Sequence, residues 1–319
     1  MRKILKWTGI LLLILVSGLA ITTALRQNIK FDAPFPDIHA SKDSTIIARG
    51  KYLVYGAAHC ADCHAAVGTE ARVDAGEEMP LSGGRVFPIP PGNIRARNLT
   101  PDETGIGNFK DEQIARSLRY GVGYDGRAIF DFMPFHNTSD ADLVAIISYL
   151  RSTAPVKNAV PENDYSLLGK VLRAFLIKPT GPSMEVPKDV VPDSTVEYGK
   201  YLAVSVANCR GCHTDRDLKT GAFIGKDYAG GFTMESPINP KIIFHTPNIS
   251  PDEKTGHIYN WTEDMFVKRF REGKKIKESP MPWGPFSRLD EKEIRAIYRF
   301  LRTVTPVERE SGKIVEEVQ

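Results

Sequence analysis

Apolar positions follow three regimes along this chain. From Trp7 to Leu25 the sequence carries no charge, is rich in Leu and Ile, and has cations on both flanks. At about 1.5 Å per residue this run reaches across roughly one bilayer. Residues 1–26 are therefore expected to form an N-terminal transmembrane helix. A cleaved signal peptide is the alternative, although its apolar part usually runs only about 7–15 residues and ends in a small-x-small site.

Beyond residue 44 the spacing is helical. Ile47, Leu53 and Val54 mark a helix over 47–58, Ile114 and Leu118 one over 111–120, and a third covers 141–151. Counterparts follow at 196–208, 263–272 (Phe266 and Phe270 four apart) and 291–302. Thr262 is a good N-cap followed by two acids, whereas Lys110 at the equivalent point is not a cap. Leu168, Val171, Leu172, Phe175 and Leu176 share one face of a helix within 164–178, expected to pack on the domains it joins rather than on a membrane. Between these lie Pro- and Gly-rich loops such as Pro88, Pro90, Pro91 and Gly92, and no sheet is expected.

The two halves repeat. Gly50-Lys-Tyr-Leu53 returns as Gly199-Lys-Tyr-Leu202, Gly83-Gly84 as Gly230-Gly231, Asn98-Leu-Thr-Pro-Asp-Glu103 as Asn248-Ile-Ser-Pro-Asp-Glu253, and Leu150-Arg151 as Leu301-Arg302. The offset between partners barely drifts along the chain, so two copies of one domain are expected.

Chemistry enters with Cys60-Ala-Asp-Cys-His64, repeated as Cys209-Arg-Gly-Cys-His213. Two thiols at this spacing can bond the two vinyl groups of a haem, with the following histidine as an axial iron ligand. The four cysteines of the chain are all used this way, leaving none for disulfides. Two covalently attached c-type haems are expected, held by Cys60, Cys63, Cys209 and Cys212, with His64 and His213 on the iron. The rival reading, a zinc half-site, would need a second metal-ligand pair, and no cysteine remains for one.

A sixth iron ligand must occur in both copies. Met133-Pro-Phe follows His64, and Met281-Pro-Trp follows His213, at intervals that differ by a single position. Met79 pairs with Lys226 and Met234 with Phe87, so neither survives the repeat. His136 and His245 fail the same comparison, since His136 stands more than twice as far from its motif as His245 does. Met133 and Met281 are the expected axial ligands. Two closed His/Met irons describe an electron carrier without a vacant site for substrate. Arg97, Asn98 and Asn248, which begin the repeated loop, are candidates for propionate binding; His39, His59 and His257 read as ordinary polar residues.

Charge adds placement. Arg2, Lys3, Lys6, Arg26 and Lys30 are unaccompanied by any acid between Met1 and Lys30, so the remainder of a chain of net charge +3 is slightly acidic. A nucleic-acid binder built on global charge is excluded. The N-terminal cations stay cytoplasmic by the positive-inside bias, which places the haem domains on the periplasmic side of an inner membrane. Lys268, Arg269, Arg271, Lys274, Lys275 and Lys277 form a basic cluster before Met281, either a solvated face or a dock for an acidic redox partner.

Asn98 to Phe109, Arg119-Tyr-Gly-Val-Gly-Tyr-Asp-Gly-Arg127 and Met133-Pro-Phe resemble the cytochrome c subunits of membrane-bound alcohol and sugar-acid dehydrogenases, over roughly residues 45 to 310. The resemblance implies an all-α chain of two tandem class I cytochrome c domains, each a small helical shell around a covalent haem. It implies electron transfer from a dehydrogenase or respiratory complex to quinone, a terminal oxidase or another acceptor. Those subunits usually carry three haem domains, against two motifs here. The expected division is anchor 1–26, tether 27–44, domain 45–156, linker 157–193, domain 194–310 and tail 311–319. The alternative is a dihaem enzyme of peroxidase or thiosulfate dehydrogenase type, with one haem open to substrate.

Overall fold

The computed structural model describes residues 1–217, 222–236, 239, 241–276 and 279–317. The chain begins with α1 (Arg2–Arg26), almost wholly exposed until Thr23. The first half then contains α2 (Ser44–Tyr55), α3 (Ala61–His64), α4 (Glu70–Asp74), β1 (Val86–Ile89), β2 (Gly92–Arg95), α5 (Asp111–Tyr120), α6 (Asp140–Ser152), β3 (Asp164–Tyr165) and α7 (Leu167–Phe175). The second contains α8 (Val196–Tyr201), α9 (Cys209–Cys212), β4 (Thr233–Glu235), β5 (Ile242–His245), α10 (Glu263–Arg271), α11 (Trp283–Phe286), α12 (Glu291–Leu301) and β6 (Val315–Glu317).

In each half a helix before the cysteine motif crosses the last long helix: α2 on α6, and α8 on α12. α2 starts where the Asp43 carboxylate accepts from the backbone N–H of Thr45 at 2.7 Å, and α6 where Ser139 Oγ accepts from Asp142 N–H at 3.1 Å. On α6, Leu143, Ile146, Ile147 and Leu150 are buried at spacings of three, four and seven. Gly50 and Gly199 sit at the two crossings because a Cβ there would lie 1.8 Å from the Ala145 oxygen and 1.9 Å from the Ala296 oxygen. Only glycine lets the helices approach this closely.

The helices make the chain mainly helical, but the expected all-α fold without a sheet is corrected. β1, β2 and β3 form one antiparallel sheet, with Phe87 opposite Ile94 and Gly92 opposite Tyr165. β4, β5 and β6 form another, with Met234 opposite Phe244 and Ile243 opposite Glu316. These strands are two to four residues long. That is too short for alternation to register, and β3 and β6 are donated from segments expected to be linker and tail. The expected tether is also packed: Ile38 is buried with Ala115, Leu143 and Ile147, and Phe31 N–H bonds the Gly126 oxygen at 2.8 Å.

The halves meet in a reciprocal polar seam. Tyr52 donates to the Glu293 carboxylate and accepts from Asp290 N–H at 2.6 Å. Its repeat partner Tyr201 donates to Asp142 at 2.7 Å and accepts from Ser139 N–H at 3.1 Å. Arg49 bridges both acids, 3.0 Å from Asp142 and 3.5 Å from Glu293, and Tyr198 closes the circuit on Glu293 at 2.5 Å. The two tyrosine contacts are returned by the opposite half, the pattern of a two-fold interface, and Arg49 breaks the symmetry, since Tyr198 stands at its place in the repeat. Burial alone would lower the Arg49 pKa, but Asp142 outweighs it and holds the guanidinium charged. Burial and then Glu293 hold Tyr52 and Tyr198 above the ordinary phenol range, and burial and then Asp142 do so for Tyr201.

Candidate functional site

Both cysteine motifs are launched by the same backbone device. Leu53 O accepts from Ala58 N–H at 2.9 Å, and Leu202 O from Ala207 N–H at 2.8 Å, five positions on in each case. The helix thus ends in one wide turn. His59 and Asn208 then take left-handed backbone angles, φ 38° and 51°, redirecting the chain into a single helical turn. His64 N–H bonds the Cys60 oxygen, and His213 N–H the Cys209 oxygen, both at 2.9 Å. One turn places each histidine beside its two cysteines. His59 and Asn208 occupy the same register before each motif, a signal available in the sequence but not read from it.

Each imidazole is then oriented by a backbone carbonyl. His64 Nδ1 lies 2.8 Å from the Arg97 oxygen, and His213 Nδ1 3.0 Å from the Pro247 oxygen. A carbonyl oxygen only accepts, so Nδ1 carries the proton and Nε2 presents its lone pair. Among the described residues neither Nε2 has a hydrogen-bond partner. Burial pushes both imidazoles below the ordinary histidine range, keeping them neutral and able to ligate. The oxygens of the same two histidines accept from Gly83 N–H at 2.8 Å and Gly230 N–H at 2.9 Å. These glycines have φ 72° and 67°, and a Cβ there would meet the orienting loop at 2.5 and 2.4 Å. The repeated glycines close the loop over the ring.

The repeated asparagines brace that loop. Asn98 Nδ2 donates to Val156 O at 2.8 Å, and its Oδ1 accepts from Thr100 N–H and Oγ1 at 2.9 and 2.8 Å. Asn248 does the same with Val307 O at 2.7 Å and with Ser250 at 3.0 and 2.7 Å. Both asparagines are buried and fully engaged, so they hold the histidine's carbonyl partner. Arg97 turns to the Val160 and Pro161 oxygens and to Glu162.

Met133 and Met281 are both half-buried at the edge of the central apolar cluster, which also takes Cys60 and Cys209. Each begins the same tight turn across proline: Phe135 N–H bonds Met133 O at 2.9 Å, and Trp283 N–H bonds Met281 O at 2.8 Å. The second half adds α11 after this turn, in which Trp283 is half-buried and Phe286 buried, whereas Phe135 is itself buried in the first half. His136 and His245 have both ring nitrogens engaged. His136 bonds Arg119 O at 3.0 Å and Asp131 at 2.9 Å, and His245 bonds Thr233 at 3.2 Å and Glu316 at 3.0 Å.

The donor set fits haem better than zinc. Burial pushes Cys60 and Cys209 up to about 12 and Cys63 to about 11 as free thiols, so they stay protonated until they are joined to another group. Among the described residues no three His, Cys, Asp or Glu side chains converge as a metal cluster. Among the described residues Tyr228 Oη and Arg216 Nε are buried without hydrogen-bond partners just after the second motif, while Arg210 within it pairs with Asp227 at 2.9 Å. The basic cluster is largely spent within the chain. Arg269 stacks 3.5 Å over Trp283, Lys274 pairs with Asp74 at 2.6 Å, Lys275 with Glu272 at 2.6 Å, and Arg271 bonds the Ser287 oxygen; Lys277 lies outside the described residues.

Residues 47–154 match the cytochrome c family. The chain is 29% identical over 320 residues to the fructose dehydrogenase cytochrome subunit of Gluconobacter japonicus, covering 94% of this chain and 61% of that protein. It is 30% identical over 250 residues to the cytochrome c subunit of a quinone alcohol dehydrogenase of Gluconobacter oxydans, covering 73% and 48%. The chain therefore spans less than two thirds of the length of these two relatives. A diheme cytochrome c-type protein of Cereibacter sphaeroides is 28% identical over 318 residues, covering 94% of this chain and 98% of that one.

Proposed function

From the premise that the chain carries a cytochrome c domain and is homologous to cytochrome c subunits of dehydrogenases, we propose that it is a membrane-anchored, periplasmic carrier with two covalent haems. The division is that of two tandem cytochrome c domains, 45–156 and 194–310, behind an anchor at 1–26. Haem, when bound, supplies reversible one-electron chemistry. Cys60 and Cys63 tether the first, and Cys209 and Cys212 the second. His64 with Met133, and His213 with Met281, supply the axial ligands. Electrons pass from a dehydrogenase or respiratory complex to a terminal oxidase or another acceptor.

The observation that carries this reading is the matched pair of imidazoles. Both are held by Nδ1 on the carbonyl before a repeated asparagine, with Nε2 unpartnered among the described residues, while His136 and His245 have both ring nitrogens engaged. With haem bound, a methionine thioether as second iron ligand would favour the reduced state and leave no position for substrate. The enzyme alternative requires one side to be open, and the identical Met-Pro turns argue against such an asymmetry.

The test is a redox titration of the purified protein with carbon monoxide added to the reduced form. Two positive midpoints without carbon monoxide binding are expected. In Met133→Ala or Met281→Ala, half of the haem should bind carbon monoxide and one midpoint should fall. Carbon monoxide binding by the unmodified protein would bring the peroxidase-type reading forward.

A further inference from the structure

Helix α7 carries its polarity inside out. At 3.6 residues per turn, Leu167, Leu168, Val171 and Phe175 fall within an arc of about 100°. Leu167 is 77% exposed, Leu168 49% and Phe175 38%, and Leu176, just past the helix, is 57% exposed. The inward side holds Gly169, Leu172, Ala174 and a guanidinium, that of Arg173. The expected packing of the leucine face against the domains is thereby corrected.

The helix is fixed in this orientation. A Cβ on Gly169 would lie 1.9 Å from the Pro91 oxygen. Arg173 donates to the Gln27 oxygen at 3.1 Å and to Tyr165 Oη at 3.0 Å, with its guanidinium 4.5 Å from that ring. Rolling the leucines inward would break each of these contacts. An apolar face held outward on a helix this firmly seated needs a cover other than its own chain.

Its position identifies the cover. α7 packs on α1, and Arg26 Nε donates to the Ala174 oxygen at 3.1 Å. That contact lies one residue past the uncharged run Trp7–Leu25, which is about 28 Å long as a helix and so nearly a hydrocarbon core thick. α7 therefore sits at the level where such a span leaves the hydrocarbon. Lys170 and Lys178 flank its exposed face, placed to extend toward lipid phosphates. Phe132, exposed and stacked on Phe130 at 6.2 Å, which in turn meets Tyr165 at 6.0 Å, adds an aromatic edge of the kind enriched at membrane interfaces.

We propose that α7 is an interfacial helix whose Leu167–Leu168–Phe175 face inserts into the outer leaflet beside the end of α1. The proposal rests on α1 being a retained membrane span. A helix held in the interface at one point and a span at another would fix the tilt of the first half against the membrane, setting which side of the Met133 loop faces the bilayer.

The test uses the full haem-loaded chain, reduced, in vesicles of phosphatidylcholine and phosphatidylglycerol. A nitroxide is attached at Leu168→Cys, and at Phe175→Cys as a second site should the first disturb folding. Leu15→Cys reports the span and Glu185→Cys the solvent. Saturation by oxygen against a water-soluble nickel chelate reads depth. The expected result shifts residues 168 and 175 toward oxygen, between 15 and 185. Residue 15 deep with residue 168 as wet as 185 overturns the interfacial helix alone. Both wet overturns the anchor and the interfacial helix together. Residue 168 shielded from both reagents means that protein, not lipid, covers the face, and also overturns it.

Discussion

His64 and His213 depend on atoms that are not their own. Each ring is aimed by the carbonyl of Arg97 or Pro247, and each carbonyl is held by the asparagine that follows it. Replacing Asn98 or Asn248 by Ala leaves Val156 O or Val307 O and the Thr100 or Ser250 hydroxyl short of a buried partner. The cost should be about 1–3 kcal/mol, read by denaturant unfolding of the haem-loaded protein, and the two variants should lose similar amounts. If these asparagines instead bound propionates, potentials would move while stability stayed constant. The repeat singled out these residues, but their task was not legible: a side chain that braces a loop and one that contacts a ligand have the same sequence signal. Residue Asp43 gives a prediction in pH. Its hydrogen bonds from the Thr45 hydroxyl and the Thr45 and Ile46 backbone hold its carboxyl below the ordinary range. A lowered folded value stabilises above the unfolded pKa of about 3.9 and is lost as pH falls through the folded one. Asp43→Ala should therefore melt below the parent protein at neutral pH, and the difference should shrink once pH drops below the unfolded value.

Among the elements, the helices with strong apolar spacing are where the sequence indicated. The helix expected at 111–120 is Asp111–Tyr120, and it begins without a capping side chain at Lys110; Gln113 reaches back to the Lys110 N–H at 2.9 Å instead. Thr262 caps α10 as expected, accepting from Met265 N–H at 3.2 Å. The strands were not legible, because β1 contains Pro88 and each sheet is completed by a strand from far along the chain, β3 beyond α6 and β6 beyond α12. The crossings of α2 with α6 and α8 with α12 explain why Gly50 and Gly199 recur. Gly50→Ala or Gly199→Ala should cost about 1–3 kcal/mol through forced separation of the helices, measured as a drop in denaturation midpoint. A neutral outcome at either site would mean that the crossing is looser than its geometry.

At the scale of the molecule, the two halves form one body through a reciprocal seam. Arg49 is the shared cation of two buried carboxylates, Asp142 and Glu293. Arg49→Ala leaves both acids facing each other's tyrosines without a countercharge and should destabilise by about 3–5 kcal/mol. Tyr52→Phe and Tyr201→Phe, which remove equivalent hydrogen bonds to those acids, should each cost about 1.5–3 kcal/mol. Equal losses in a single cooperative unfolding transition would mark the seam as two-fold; a large loss for one tyrosine only would mark it as lopsided. The seam also holds the two cysteine motifs at one distance, on which electron exchange between them would depend.

By itself the sequence determined the candidate motifs and their duplication. Two C-x-x-C-H motifs using every cysteine, two Met-Pro-aromatic turns and the uncharged run from Trp7 to Leu25 are local patterns, and local patterns survive without coordinates. The tertiary structure alone decided which carbonyl aims each histidine and that the tether and tail pack as part of the fold. It alone decided that Arg269, Arg271, Lys274 and Lys275 are engaged within the chain and that α7 turns its leucines outward. Each of these depends on contacts between parts of the chain that lie far apart in sequence. Periodicity reports that a helix has an apolar face, but only the packing of its other face settles which way that side looks.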